Sequence, residues 1–101
     1  MGKINLIAER TREEITNELS RFNDNGTLNY KVTRTDCDRY IELSVTPTDI
    51  NLSFITSSAL YIIQKVYESS EWKSRMFYGI VVKYDETSKE NVPSLSIYIR
   101  K

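Results

Sequence analysis

From Ile55 to Ser70 the apolar residues return at helical spacing: Ile55, Ala59, Ile62, Ile63 and Val66 share one stripe. At about 100° per residue this is the pattern of a helix packed on a core. Tyr61, Gln64, Lys65 and Glu68 fall on the opposite, wet side. Ser57 or Ser58 is the expected cap, since a serine hydroxyl can accept an orphan amide hydrogen. Strand-like segments flank the helix on both sides, which makes it the expected spine of one small domain.

An earlier helix is expected over residues 3–24. Ile15, Leu19 and Phe22 form a narrow core stripe, and Ile4 and Ala8 continue it backwards. Thr11 and Glu14 have the spacing of a capping box. Ile4 and Leu6 also alternate as a short strand would, but the stripe favours a helix reaching back towards residue 4. The run from Asn23 to Gly26 should stop it, because glycine takes the left-handed conformation that ends many helices.

The period then changes to two. Leu28, Tyr30 and Val32 predict a half-buried strand, and Ile41, Leu43 and Val45 predict its antiparallel partner across a turn at Asp36, Cys37 and Asp38. A second turn is expected at Pro47, Thr48 and Asp49. Ile50, Leu52 and Phe54 form either a short third strand or the lead-in to the central helix. After Trp72, in a polar connection, the run from Met76 to Val82 is apolar on both sides of its pleat, as in a central strand buried on both faces. Residues 85–91 form a polar loop, and Pro93 suits the start of a last strand carrying Leu95, Ile97 and Ile99.

This order predicts an α+β two-layer sandwich: a mostly antiparallel sheet of four or five strands with two helices on one face, ordered α-β-β-(β)-α-β-β. A strand at residues 3–8 would instead give a ferredoxin-like unit with an extra C-terminal strand. No linker or repeat divides residues 1–101, so one domain is expected.

Composition narrows the function classes. The 101 residues carry 14 Lys+Arg and 14 Asp+Glu, so no whole-surface attraction to nucleic acid or anionic membrane is expected. One cysteine, Cys37, excludes an intramolecular disulfide framework and suits a reducing compartment. There is no secretory pattern at the N-terminus and no apolar run of about 18 residues, so a soluble, cytoplasmic protein is expected. Leu6 stands where a myristoylation motif wants Ser or Thr.

Chemistry is hard to find. The chain lacks histidine, the commonest general base and metal ligand. Cys37 lies between two aspartates, a poor setting for a nucleophile. Asp36 and Asp38 are not followed by acidic residues at calcium-loop spacing. Glycine occurs only at 2, 26 and 79, so no phosphate-cradling loop can be written. The expectation is a protein that is not an enzyme and takes no cofactor and no metal.

Two surfaces rise above this background. The outer side of the central helix, with Tyr61, Gln64, Lys65 and Glu68, together with Trp72, offers aromatic and polar residues suited to protein contact. The sheet face away from the helices should interleave Lys31, Tyr40, Phe77, Lys83, Tyr98 and Arg100, an aromatic and cationic mixture suited to single-stranded nucleic acid. Sheet edges add a third mode, pairing with a partner strand or a second copy. The favoured expectation is a non-catalytic protein-binding module, with another protein or a second copy of itself as partner. An inhibitor or adaptor of the kind a phage or mobile element encodes would fit. The alternative is a single-stranded nucleic-acid binder using the open sheet face.

Overall fold

The computed structural model describes residues 2–21, 30–47, 52–86 and 89–101. Helix α1 runs Gly2–Arg21, strand β1 Tyr30–Asp36, β2 Tyr40–Pro47, helix α2 Leu52–Ser69, β3 Met76–Asp85 and β4 Glu90–Arg100, with a single 3-10 turn at Lys73–Arg75 before β3. The order is α-β-β-α-β-β, and the four strands form one antiparallel sheet ordered β1-β2-β4-β3. Both helices pack on one face, giving the expected two-layer α+β sandwich.

Residues 2–21 are one continuous helix, so the ferredoxin-like alternative falls. Thr11 does not cap it. It is a buried interior position, part of a stripe with Ile7, Ala8, Ile15 and Leu19. The capping-box spacing is satisfied by any Thr and Glu one turn apart, and here the apolar stripe through Ile4 and Ile7 carried the helix past it. Phe22 and the run from Asn23 to Gly26 lie outside the described residues. So do Leu28, Thr48, Asp49 and Ile50.

Helix α2 begins at Leu52, so Leu52 and Phe54 belong to it and the optional third strand is absent there. Ser57 and Ser58 sit inside the helix rather than at its cap. Ala59, Ile62, Ile63 and Val66 are buried, as their spacing predicts. They meet Ile41, Leu43 and Val45 of β2, Leu95, Ile97 and Ile99 of β4, and Met76 of β3 in one core.

The larger correction concerns β3. It is an edge strand, and β4 is the strand paired on both sides. The apolar run from Met76 to Val82 reads alike for a strand buried on two faces and for an edge whose apolar residues stay wet. Here Phe77, Ile80, Val82 and Tyr84 are exposed. The polar loop is also shorter than expected: β3 extends to Asp85 and β4 starts at Glu90, with Lys89 between them at φ 62°, in the left-handed region.

Pro93 accordingly lies within β4, opposite Val82, rather than at its start. The β2–β4 register ends at Val45 opposite Leu95, so among the described residues Glu90–Ser94 pair with β3 alone. A proline without an N–H is tolerated where the strand has no second neighbour. Among the described residues, no helix is long and apolar enough to cross a membrane.

Candidate functional site

The direction of each backbone group on β3 follows from two hydrogen bonds at the other end of the sheet. The Lys101 N–H donates to the Arg39 carbonyl at 3.0 Å, and the Cys37 N–H donates to the Tyr40 carbonyl at 2.9 Å. Groups alternate along an antiparallel ladder. Odd-numbered residues of β4 therefore turn their N–H and C=O towards β2, and even-numbered residues turn theirs towards β3. Phe77, Gly79 and Val81 of β3 meet even-numbered β4 residues and bond inward. Tyr78, Ile80, Val82 and Tyr84 turn theirs outward, to an edge that no other strand pairs among the described residues.

The side chains of the last three are the exposed ones. Ile80 is 56% exposed, Val82 67% and Tyr84 59%. They share the sheet face on which Met76 is buried. A free edge carrying unpaired amides and exposed β-branched and aromatic residues is a template for strand addition. The other edge is guarded. On β1, Arg34 bonds Glu9 at 2.6 Å and Asn5 at 2.9 Å on α1, and Asp36 at 2.8 Å along its own strand. These bonds lower the Asp36 carboxyl below its usual range and raise the Arg34 guanidinium further.

The outer side of α2 is partly engaged within the protein. Lys65 pairs with Glu18 of α1 at 3.1 Å and Glu68 with Lys73 at 3.4 Å, while Gln64 and Tyr61 are exposed. Trp72 is half-buried and packs on the core, and its backbone N–H donates to the Ser70 hydroxyl at 3.1 Å. It closes the core where α2 ends.

On the sheet face away from the helices, three of the expected aromatics come together. Phe77 stacks on Tyr98 at 4.8 Å between ring centroids, and Tyr40 meets Tyr98 edge-on at 5.2 Å. Arg100 lies opposite Tyr40 and donates to the Ser74 carbonyl at 2.7 Å, while Arg75 donates to the Arg100 carbonyl at 3.2 Å. A shallow cleft of about 480 Å³ opens beside Ser74, Arg75, Arg100 and Lys101. Lys31 is not part of this group: it sits at the opposite end of the sheet, across from Thr46. Lys83 falls at a register position opposite Val92, also towards that end.

Between the two ends the same face is polar and closed to water. Ser44 and Ser96 are 3.1 Å apart and Thr46 and Ser94 3.0 Å, and Glu42 accepts from Ser96 at 2.8 Å and from Tyr98 at 3.2 Å. Glu42, Ser44, Ser94 and Ser96 are all buried. Burial, followed by the charge of Glu42, raises the Tyr98 phenol above its ordinary value. The Tyr40 phenol is raised as well, first by the neighbouring Cys37. Among the described residues no three His, Cys, Asp or Glu side chains gather as a metal site would require.

Sequence reasoning missed the free edge at Ile80, Val82 and Tyr84. A usable signal was present in β4, whose Leu95, Ile97 and Ile99 alternate with the small Ser94 and Ser96. Small polar residues between apolar ones suit a strand crowded on both sides. Compared with known proteins, the chain matches no family, no curated protein and no solved structure.

Proposed function

We propose that this chain is a non-catalytic protein-binding module that acts by strand addition at the free edge of β3. One observation carries the reading: three of the four residues whose backbone groups face outward there, Ile80, Val82 and Tyr84, also have exposed apolar or aromatic side chains. Backbone amides supply affinity in such pairing, and alternate side chains supply selectivity. The role is that of an adaptor or inhibitor, with a partner that offers an extended apolar segment.

The test is capture from an extract of the source cell by the immobilised protein, with Ile80→Lys and Tyr61→Ala as companions. A partner held by the wild type and by Tyr61→Ala but lost from Ile80→Lys is the expected result. Equal capture by all three forms contradicts the β3 edge as the site.

A second reading has its own observation. Tyr40, Phe77, Tyr98 and Arg100 do gather at one end of the sheet, beside the cleft formed with Arg75 and Lys101. That grouping suits a base-and-phosphate contact of single-stranded nucleic acid. Phe77 and Tyr98 stack on each other, so one face of each ring is already occupied. Fluorescence anisotropy with mixed-sequence oligonucleotides separates the readings, because absence of binding at low salt removes this one.

A further inference from the structure

We infer that the cleft at Ser74, Arg75, Arg100 and Lys101 is a mononucleotide site, taking one phosphate monoester on its cations and one planar ring on Phe77. The inference rests on the grouping behind the second reading above and replaces its strand with a single nucleotide.

Hydrogen bonds fix both guanidinium groups before any ligand arrives. Arg100 on β4 donates to the Ser74 carbonyl at 2.7 Å, and Arg75 donates back to the Arg100 carbonyl at 3.2 Å. The 3-10 turn and the end of β4 are thus latched in both directions. A guanidinium carries five N–H donors in a planar fork, so one carbonyl leaves most of them to a ligand. Phosphate oxygens suit that fork, and such charge-assisted bonds are among the strong ones.

The charge of the cleft is also uncompensated. Among the described residues Arg21, Arg34, Lys65 and Lys73 pair with carboxylates, whereas Arg75 and Arg100 pair with none. No acidic side chain is among the described residues lining the cleft. The Asp36 carboxylate feels Lys101, but Arg34 holds it at 2.8 Å. Three cations thus face a space of about 480 Å³, which falls in the range of about 300–1,000 Å³ usual for small-molecule sites.

A platform for a ring lies one step along the same face. Tyr98 precedes Arg100 by two residues on β4, about 7 Å at strand spacing, and Phe77 sits opposite Tyr98. Tyr98 covers one side of the Phe77 ring, and the exposed remainder is open to a base. A single sugar between base and 5′-phosphate spans a step of this order.

Beyond the ring the face opposes a longer strand. Glu42 lies opposite Tyr98 on β2, and Ser44 and Ser96 follow, all buried in their own hydrogen bonds. A strand crossing the sheet would bring its next phosphate over the Glu42 carboxylate. Lys31 and Lys83, which could receive that phosphate, stand at register positions towards the far end.

Amide-resolved NMR titration at low salt tests this with adenosine 5′-monophosphate, set against ribose 5-phosphate, adenosine and a mixed-sequence oligonucleotide. The nucleotide is expected to shift the amides of residues 74–77, 100 and 101 saturably, and to bind about tenfold tighter than ribose 5-phosphate or adenosine. Arg75→Gln and Arg100→Gln should each weaken the nucleotide about tenfold and leave adenosine unchanged. Phe77→Ala should lower the nucleotide to the affinity of ribose 5-phosphate. That substitution is at an exposed position, and it keeps the test decisive where an arginine variant loses the turn by its far-UV spectrum.

No saturable shift with the nucleotide, equal binding of nucleotide and adenosine, or unchanged binding in the folded arginine variants overturns the inference. Oligonucleotide binding without nucleotide binding overturns it and leaves the strand reading standing. Nucleotide binding without oligonucleotide binding supports it against the strand, and binding of neither removes both.

Discussion

Ile80 and Leu95 are paired neighbours on the same face of the sheet, yet Leu95 is 2% exposed and Ile80 56%. The burial of the core stops between two adjacent strands. Leu95→Ala should therefore cost about 2–5 kcal/mol, the usual range for emptying a filled core position. Ile80→Ala should fall within about 0.5 kcal/mol of the wild type in the monomer, as exposed substitutions do. Urea unfolding at low protein concentration measures both.

Glu42 accepts hydrogen bonds from Ser96 and Tyr98 inside the polar centre of the sheet. Burial and the Glu42 charge together raise the Tyr98 phenol, so the folded state favours the neutral ring. Its contribution to stability is complete below the ordinary tyrosine value and is lost as pH rises through the folded value. In Glu42→Gln, ultraviolet titration should show the Tyr98 transition moving down. It should remain above an exposed tyrosine, because burial is the larger cause. Glu42→Ala removes the acceptor altogether and should cost about 1–3 kcal/mol.

Arg34 fastens β1 to α1 through Glu9 and Asn5 and holds Asp36 below the usual carboxylate range. Asp36 therefore supports the fold above the ordinary aspartate value, and that support fades as pH falls through its lowered folded value. In Arg34→Gln, the Asp36 carboxyl followed by NMR should titrate in the ordinary range. Asp36 is open to solvent, so the accompanying loss of stability should be small and should shrink further as salt is added.

The sequence made the layers readable because period is a local property. Ala59, Ile62, Ile63 and Val66 can share a buried side only in a helix, and Ile41, Leu43 and Val45 only in a strand. The position of a strand within its sheet is not local. Met76 to Val82 carries the same apolar residues whether or not a fifth strand covers it, so its place at the edge depended on β4 joining β2. The Tyr40, Tyr98 and Phe77 cluster was legible from alternation once the faces were assigned. Lys31 shares that face, as alternation implies, but lies at the far end from the cluster, because alternation fixes the face of a residue and not its height along the strand. Thr11 shows the same limit at a helix start, where a good cap spacing lost to a longer stripe.

The central claim is that the outward backbone groups of β3 are where this protein pairs with another strand. Residue-resolved amide hydrogen exchange, with and without the partner captured from the cell extract, tests it most directly. Within one copy the amides of Gly79 and Val81 face β4, while those of Tyr78, Ile80, Val82 and Tyr84 have no strand partner among the described residues. The account predicts that this alternation disappears on binding, with protection rising at the four even-numbered positions and staying flat at Val32 and Arg34 on the β1 edge. Even-numbered amides that remain unprotected while the partner binds through another surface would contradict it.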